Sequence, residues 1–106
     1  QVNISGEASK SGFAPADAPA AARAVAALPR LALRGLMSIP EPEVGFEAQR
    51  RPHRALRELL ESIRQQGLAL DTLSMGMSDD LEAAIAEGAT IVRVGTAIFG
   101  ERPQAA

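Results

Sequence analysis

Four short β-like runs, at residues 2–5, 33–39, 72–75 and 91–94, recur along this chain with helix-sized segments between them. Each intervening segment carries a helical stripe. Val25 and Leu28 share a face of the Ala-rich segment that follows Asp17, and Leu56, Leu59, Leu60 and Ile63 are spaced i, i+3, i+4, i+7. A shorter segment places Leu81, Ala84 and Ile85 inward. Strands that alternate with helices lie parallel and are joined by right-handed crossovers. The order β-α-β-α-β-α-β therefore predicts an α/β fold, either half of a (β/α)8 barrel or a small open sheet. In both, the residues that act fall just after the strands, at their carboxyl ends.

The punctuation agrees with this order. Asp17 is placed to cap the first helix and Pro29 to stop it. Pro52 sits badly in a helix interior, so the second helix is expected to start or kink there, and Gly67 to end it. Asp79 and Glu82 have the spacing of a capping box, with Gly88 after the helix they open.

A chain of 106 residues forms one small domain or part of a larger one. The absence of cysteine excludes disulfides, Cys-ligated zinc and thiol nucleophiles, and suits a cytoplasmic setting. A net charge of −2 gives no general attraction to nucleic acid. No apolar run approaches the roughly 20 residues of a membrane span. Gln1 already opens a strand-like run, so the chain is expected to be cut from something longer.

The chemistry concentrates in the loops after the last two runs. Ser78 suits either a helix cap or a contact to an anion, and Gly76 lets the backbone turn or approach a ligand. Gly95 and Thr96 offer two N–H groups and a hydroxyl, the ingredients of an anion nest. Arg93 shares a strand face with Gly95 and, flanked by Ile and Val, needs a partner. Met37 and Ser38 end the second run, where Met37 suits a ligand pocket or plain core; Asn3 and Ser5 end the first.

Other polar residues read as solvent-facing. His53 falls among Arg50, Arg51, Arg54 and Arg57 in the first turn of the long helix, and a solvated position is expected. The arginines at 50, 54, 57 and 64 form a stripe expected to be the wet face. Lys10 is expected in a solvated loop. Asp79 and Asp80 complement the dipole of the helix they open, and no metal is assigned.

Leu73-Ser-Met-Gly-Met-Ser-Asp-Asp80, followed by Ala89-Thr-Ile-Val-Arg-Val-Gly-Thr-Ala-Ile-Phe-Gly100, resembles the signature of the pyridoxal phosphate homeostasis proteins. These are the YggS/PROSC-type relatives of the alanine racemase barrel. Asn3-Ile-Ser5 with Ser9-Lys-Ser-Gly12, and Arg34-Gly-Leu-Met-Ser-Ile-Pro40, match two further blocks in the same order. The resemblance implies a TIM barrel that binds pyridoxal 5'-phosphate and buffers or delivers it, with no firmly established catalysis. The family's Schiff-base lysine lies on an early strand, whereas the one lysine here, Lys10, belongs to the Ser-Lys-Ser-Gly block. Residues 1–106 are thus expected to be a partial domain, about the last four strands of the (β/α)8 barrel with their helices: its C-terminal half.

The same resemblance assigns the cofactor phosphate to Ser78, Gly95 and Thr96, with Gly76 and Met37 nearby. It turns Arg93 towards the pyridine nitrogen. A guanidinium keeps its charge at neutral pH and leaves that nitrogen unprotonated, a poorer electron sink that suits binding over carbanion chemistry. A racemase-like enzyme is the competing reading. It needs an acid/base on each face of the ring, which a segment with no Tyr, one His and one Lys does not supply. A third reading is a half-barrel that binds nothing until it pairs with its missing N-terminal half or self-associates, because it exposes sheet edges.

Overall fold

The structure, a computed structural model, describes residues 1–8 and 11–103. Its elements run α1 (Ala18–Ala26), β1 (Gly35–Met37), α2 (Phe46–Gln65), β2 (Thr72–Ser74), α3 (Leu81–Ala86) and α4 (Thr96–Phe99). The two strands pair in parallel, Gly35 with Thr72, Leu36 with Leu73 and Met37 with Ser74. An α/β fold is what the alternation predicts.

The outer two runs extend this pairing without forming full strands. Val2 donates its N–H to Met37 O at 2.8 Å, and Met75 donates to Ile91 O at 3.1 Å. Arg93 N–H reaches Gly76 O at 2.9 Å, so the four segments lie side by side in chain order. Two local effects shorten the expected strands at 2–5 and 91–94. Ile4 N–H turns back onto Val2 O, and the N–H groups of Thr90 and Ile91 both fall on Leu73 O. Neither pattern propagates a ladder.

Alternation along the strands sorts the two sheet faces. Leu36 and Leu73 point towards α2 and are buried with Leu56, Leu60 and Ile63 of its stripe. Each such side chain contributes at most about 1.5–3 kcal/mol. Met37 and Ser74 point the other way. The strands approach closely at Gly35, where a Cβ would lie 1.7 Å from Thr72 O, so no other residue fits.

Several helix boundaries differ from expectation. The helix α2 begins at Phe46, well before Pro52, which lies inside it. Proline there removes the bond to Ala48 O, and the buried stripe further along holds the helix in place. Gly67, at φ 104°, follows its end as predicted. Asp17 stands at the N-cap of α1 but makes no capping bond, because a 3-10 turn at Pro15–Asp17 leads into the helix. The inward face of α1 is Ala18 and Ala22, and Leu28 is half exposed. In α3 the buried residues are Ala83 and Ala84, with Ile85 turned out. Ala84 packs directly on the Gly76 backbone, where a Cβ on Gly76 would meet Ala84 Cβ at 2.6 Å.

Among the described residues no helix is long and apolar enough to cross a membrane.

Candidate functional site

The chain leaves β2 through Met75 and Gly76, the latter at φ 104°, and enters a closed turn over residues 77–80. Met77 donates its N–H to Asp80 Oδ1 at 2.7 Å, and Asp80 N–H returns to Met77 O at 3.3 Å. Asp80, not Ser78 or Asp79, is the N-cap residue of α3, and its carboxylate makes no capping bond. The capping box expected of Asp79 and Glu82 is therefore not formed: the neighbouring carboxylate closes the turn that precedes the helix.

Ser78 is left free to face the next loop. Its Oγ accepts the N–H groups of Gly95 and Ala97, both at 3.1 Å. Gly95 is the N-cap of α4, so these donors belong to the first turn that follows the fourth segment. The two loops enclose an open cleft of roughly 440 Å³ lined by Ser78, Asp79, Gly95, Thr96, Phe99 and Arg102. Two converging backbone donors, a hydroxyl and one guanidinium suit an anion.

Arg93 crosses the sheet on the face that carries Met37 and Ser74. Its Nη1 donates to Ser74 Oγ at 2.9 Å, its Nη2 to Ser38 O at 3.0 Å, and its Nε lies 3.4 Å from Met77 Sδ. No carboxylate pairs with it among the described residues. Three neutral acceptors, at the ends of β1 and β2, hold the charge at the carboxyl side of the sheet. Met37 is the register partner of Ser74 and is half-buried beside this group. The missing side chain of Gly76 makes room for Ala84 and Val92.

Asn3 serves its own loop, its Nδ2 donating to Glu7 O at 2.7 Å, whereas Ser5 ties that loop to the one after β1, its Oγ accepting Glu41 N–H at 2.9 Å. Lys10 lies outside the described residues. No group of three or more His, Cys, Asp or Glu side chains is placed to hold a metal among the described residues.

Two readings of α2 are corrected. His53 is fully buried, and its Nε2 meets Asp80 Oδ2 at 2.8 Å. Residues 53, 56, 60 and 63 share the buried face of α2, so helical spacing already held the signal that places this histidine inside. The arginine stripe is not simply wet either. Arg50, Arg54 and Arg57 converge on Glu87, at 2.7, 3.3 and 3.2 Å, and Glu87 is only 1% exposed. Burial opposes ionisation of Glu87, but hydrogen bonds and charge from Arg50 and Arg54 outweigh it and hold the carboxyl below its usual range. Arg64 does not join them and pairs with an exposed neighbour, Glu61. These contacts fasten α2 to α3 behind the cleft.

Residues 1–103 match the model of the alanine racemase N-terminal domain family. The chain is 66% identical over 102 residues to the pyridoxal phosphate homeostasis protein of Pseudomonas aeruginosa, covering 96% of this chain and 43% of that protein. It thus spans less than half the length of this relative. An unknown protein from Bifidobacterium adolescentis superposes with a TM-score of 0.84 at 46% identity, over 92% of this chain and 40% of that one. PipY of Synechococcus elongatus PCC7942, solved with pyridoxal phosphate bound, gives a TM-score of 0.78 at 37% identity, over 87% of this chain and 44% of that one.

Proposed function

The chain belongs to the alanine racemase N-terminal domain family, and from that premise we propose that it supplies the phosphate side of a pyridoxal 5'-phosphate site in a protein of vitamin B6 homeostasis. The observation that carries the reading is the convergence of Gly95 N–H and Ala97 N–H on one oxygen, Ser78 Oγ, at 3.1 Å. A phosphate oxygen at the mouth of that nest takes a share of the same donors and accepts the Ser78 hydroxyl proton. Thr96 and Arg102 line the same cleft and add a hydroxyl and a positive charge. The donor set fits a dianion. The relatives support the choice of dianion, since one is named for pyridoxal phosphate homeostasis and another holds pyridoxal phosphate.

In this reading Arg93 faces the pyridine nitrogen, held in place by Ser74 and Ser38. Met37 would line the ring pocket, and the turn that Gly76 opens would carry Ser78 to the phosphate end. The cofactor, when bound, supplies an aldehyde and an electron-poor ring. Arg93 would donate to the ring nitrogen without protonating it, which suits holding and release over amino-acid chemistry. His53, the only histidine, is buried on the helix side of the sheet and offers no acid/base for a racemase-like enzyme.

The fold reading extends in the same way. Four segments side by side in chain order, with β1 parallel to β2, helices on one face and Met37, Ser74 and Arg93 on the other, are proposed as the last four strands of a (β/α)8 barrel. The lysine that anchors the cofactor then belongs to the remaining strands. Ile91, Ile98 and Phe99 are exposed by 50%, 67% and 84%, an apolar surface suited to pairing with the rest of a barrel.

Titration of the chain with pyridoxal 5'-phosphate and, separately, with pyridoxal tests the reading. Saturable binding of the phosphorylated form is expected, competed by inorganic phosphate, with pyridoxal at least about tenfold weaker. Equal affinity for the two forms contradicts it.

A further inference from the structure

We infer that His53, buried in α2 on the far side of the sheet, is a positioning residue that sets where Ser78 meets the Gly95 and Ala97 amides; its effect on ligand rests on the phosphate-site reading above. The geometry is a relay of hydrogen bonds through one carboxylate. Asp80 Oδ1 accepts Met77 N–H at 2.7 Å and closes the turn over residues 77–80 that carries Ser78. Asp80 Oδ2 faces His53 Nε2 at 2.8 Å. Because an ionised carboxylate only accepts, His53 Nε2 carries the hydrogen and donates it.

Among the described residues the turn has one other side-chain hydrogen bond to α2, a longer one from Gln49 Nε2 to Asp79 O at 3.3 Å. The His53 bond is therefore the short link between the Ser78 turn and the longest helix. The ring is fully buried and the Asp80 side chain only 19% exposed, so the bond is largely shielded from solvent, where it constrains direction as well as distance. His53 Nδ1, by contrast, is buried with no hydrogen-bond partner. An unpartnered ring nitrogen costs stability, so the histidine is not explained by packing on an apolar stripe. What the ring offers there and a leucine does not is a donor aimed at Asp80. Moving that donor moves the turn, and the turn holds Ser78 Oγ at 3.1 Å from both amides.

Amide hydrogen exchange on His53→Leu and His53→Gln tests the relay without any ligand. Loss of the tether in His53→Leu is expected to speed exchange at Gly95 and Ala97 by about tenfold. The Arg93 amide, bonded to Gly76 O within the strand pairing, is expected to be unchanged. His53→Gln keeps a side-chain donor and is expected to restore slow exchange at both sites. If His53→Leu leaves Gly95 and Ala97 as they were, or speeds Arg93 equally, or if His53→Gln rescues nothing, the positioning role is overturned. Parallel titrations separate this inference from the functional reading. His53→Leu is expected to weaken pyridoxal 5'-phosphate about tenfold and pyridoxal not at all. A parent chain that binds neither compound removes the functional reading, while the exchange pattern still decides the relay.

Discussion

The Ser78 hydroxyl oxygen accepts the Gly95 N–H at 3.1 Å, joining the loop after β2 to the loop after the fourth segment. Neither loop makes an anion site by itself. Joined, they place a hydroxyl and two backbone donors at one edge of the sheet.

Ser78→Ala removes the shared acceptor while water replaces it at the open cleft. We predict a stability change within about 1 kcal/mol, and a loss of pyridoxal 5'-phosphate affinity of about tenfold, or ~1.4 kcal/mol. Chemical unfolding and ligand titration of the same sample read the two effects. A large loss of stability with unchanged affinity would make Ser78 a structural residue only.

Gly35→Ala drives a methyl group against Thr72 O, where a Cβ would stand 1.7 Å away. Both atoms belong to backbone, so relief requires the two strands to separate. The predicted cost is about 3 kcal/mol or more, read as a fall in the urea midpoint. A Gly95→Ala control meets nothing within 4 Å and should move the midpoint far less.

Acid should weaken the fold through two carboxylates. The Arg34 hydrogen bond holds Asp71 well below its ordinary value, at about 2, and the arginines around Glu87 hold it low as well. Both groups bind protons more readily unfolded than folded. Their stabilisation is therefore complete above the unfolded values near 4, and is lost as pH falls towards the folded ones. Urea midpoints measured from pH 6 down to pH 2 should decline through this window. Glu87→Gln should flatten the slope and cost about 2 kcal/mol at neutral pH. Asp71→Asn should act more weakly, since Asp71 and Arg34 are more than half exposed and screened by solvent.

The core of the fold was legible because periodicity speaks directly to burial. Leu56, Leu60 and Ile63 announced α2, and the runs around Leu36 and Leu73 announced its two strands. The strand-end residues Ser78, Gly95, Thr96 and Arg93 were legible as a group, since parallel topology brings the ends of neighbouring runs together. What escaped was pairing at a distance. His53 with Asp80, and three arginines with Glu87, span 27 to 37 residues, and a polar side chain gives no periodic sign of which partner it will meet. The outer strands were overestimated for a related reason. Apolar content marks a segment as sheet-like, but Leu73 O accepting two amides decides how far its ladder runs.

The most direct test of the phosphate site follows the backbone amides of Gly95, Thr96 and Ala97 by heteronuclear NMR during titration with pyridoxal 5'-phosphate. Saturable shifts centred on these three residues, absent with pyridoxal and weakened in Ser78→Ala, are the predicted result. Binding that leaves all three amides unmoved would contradict the account.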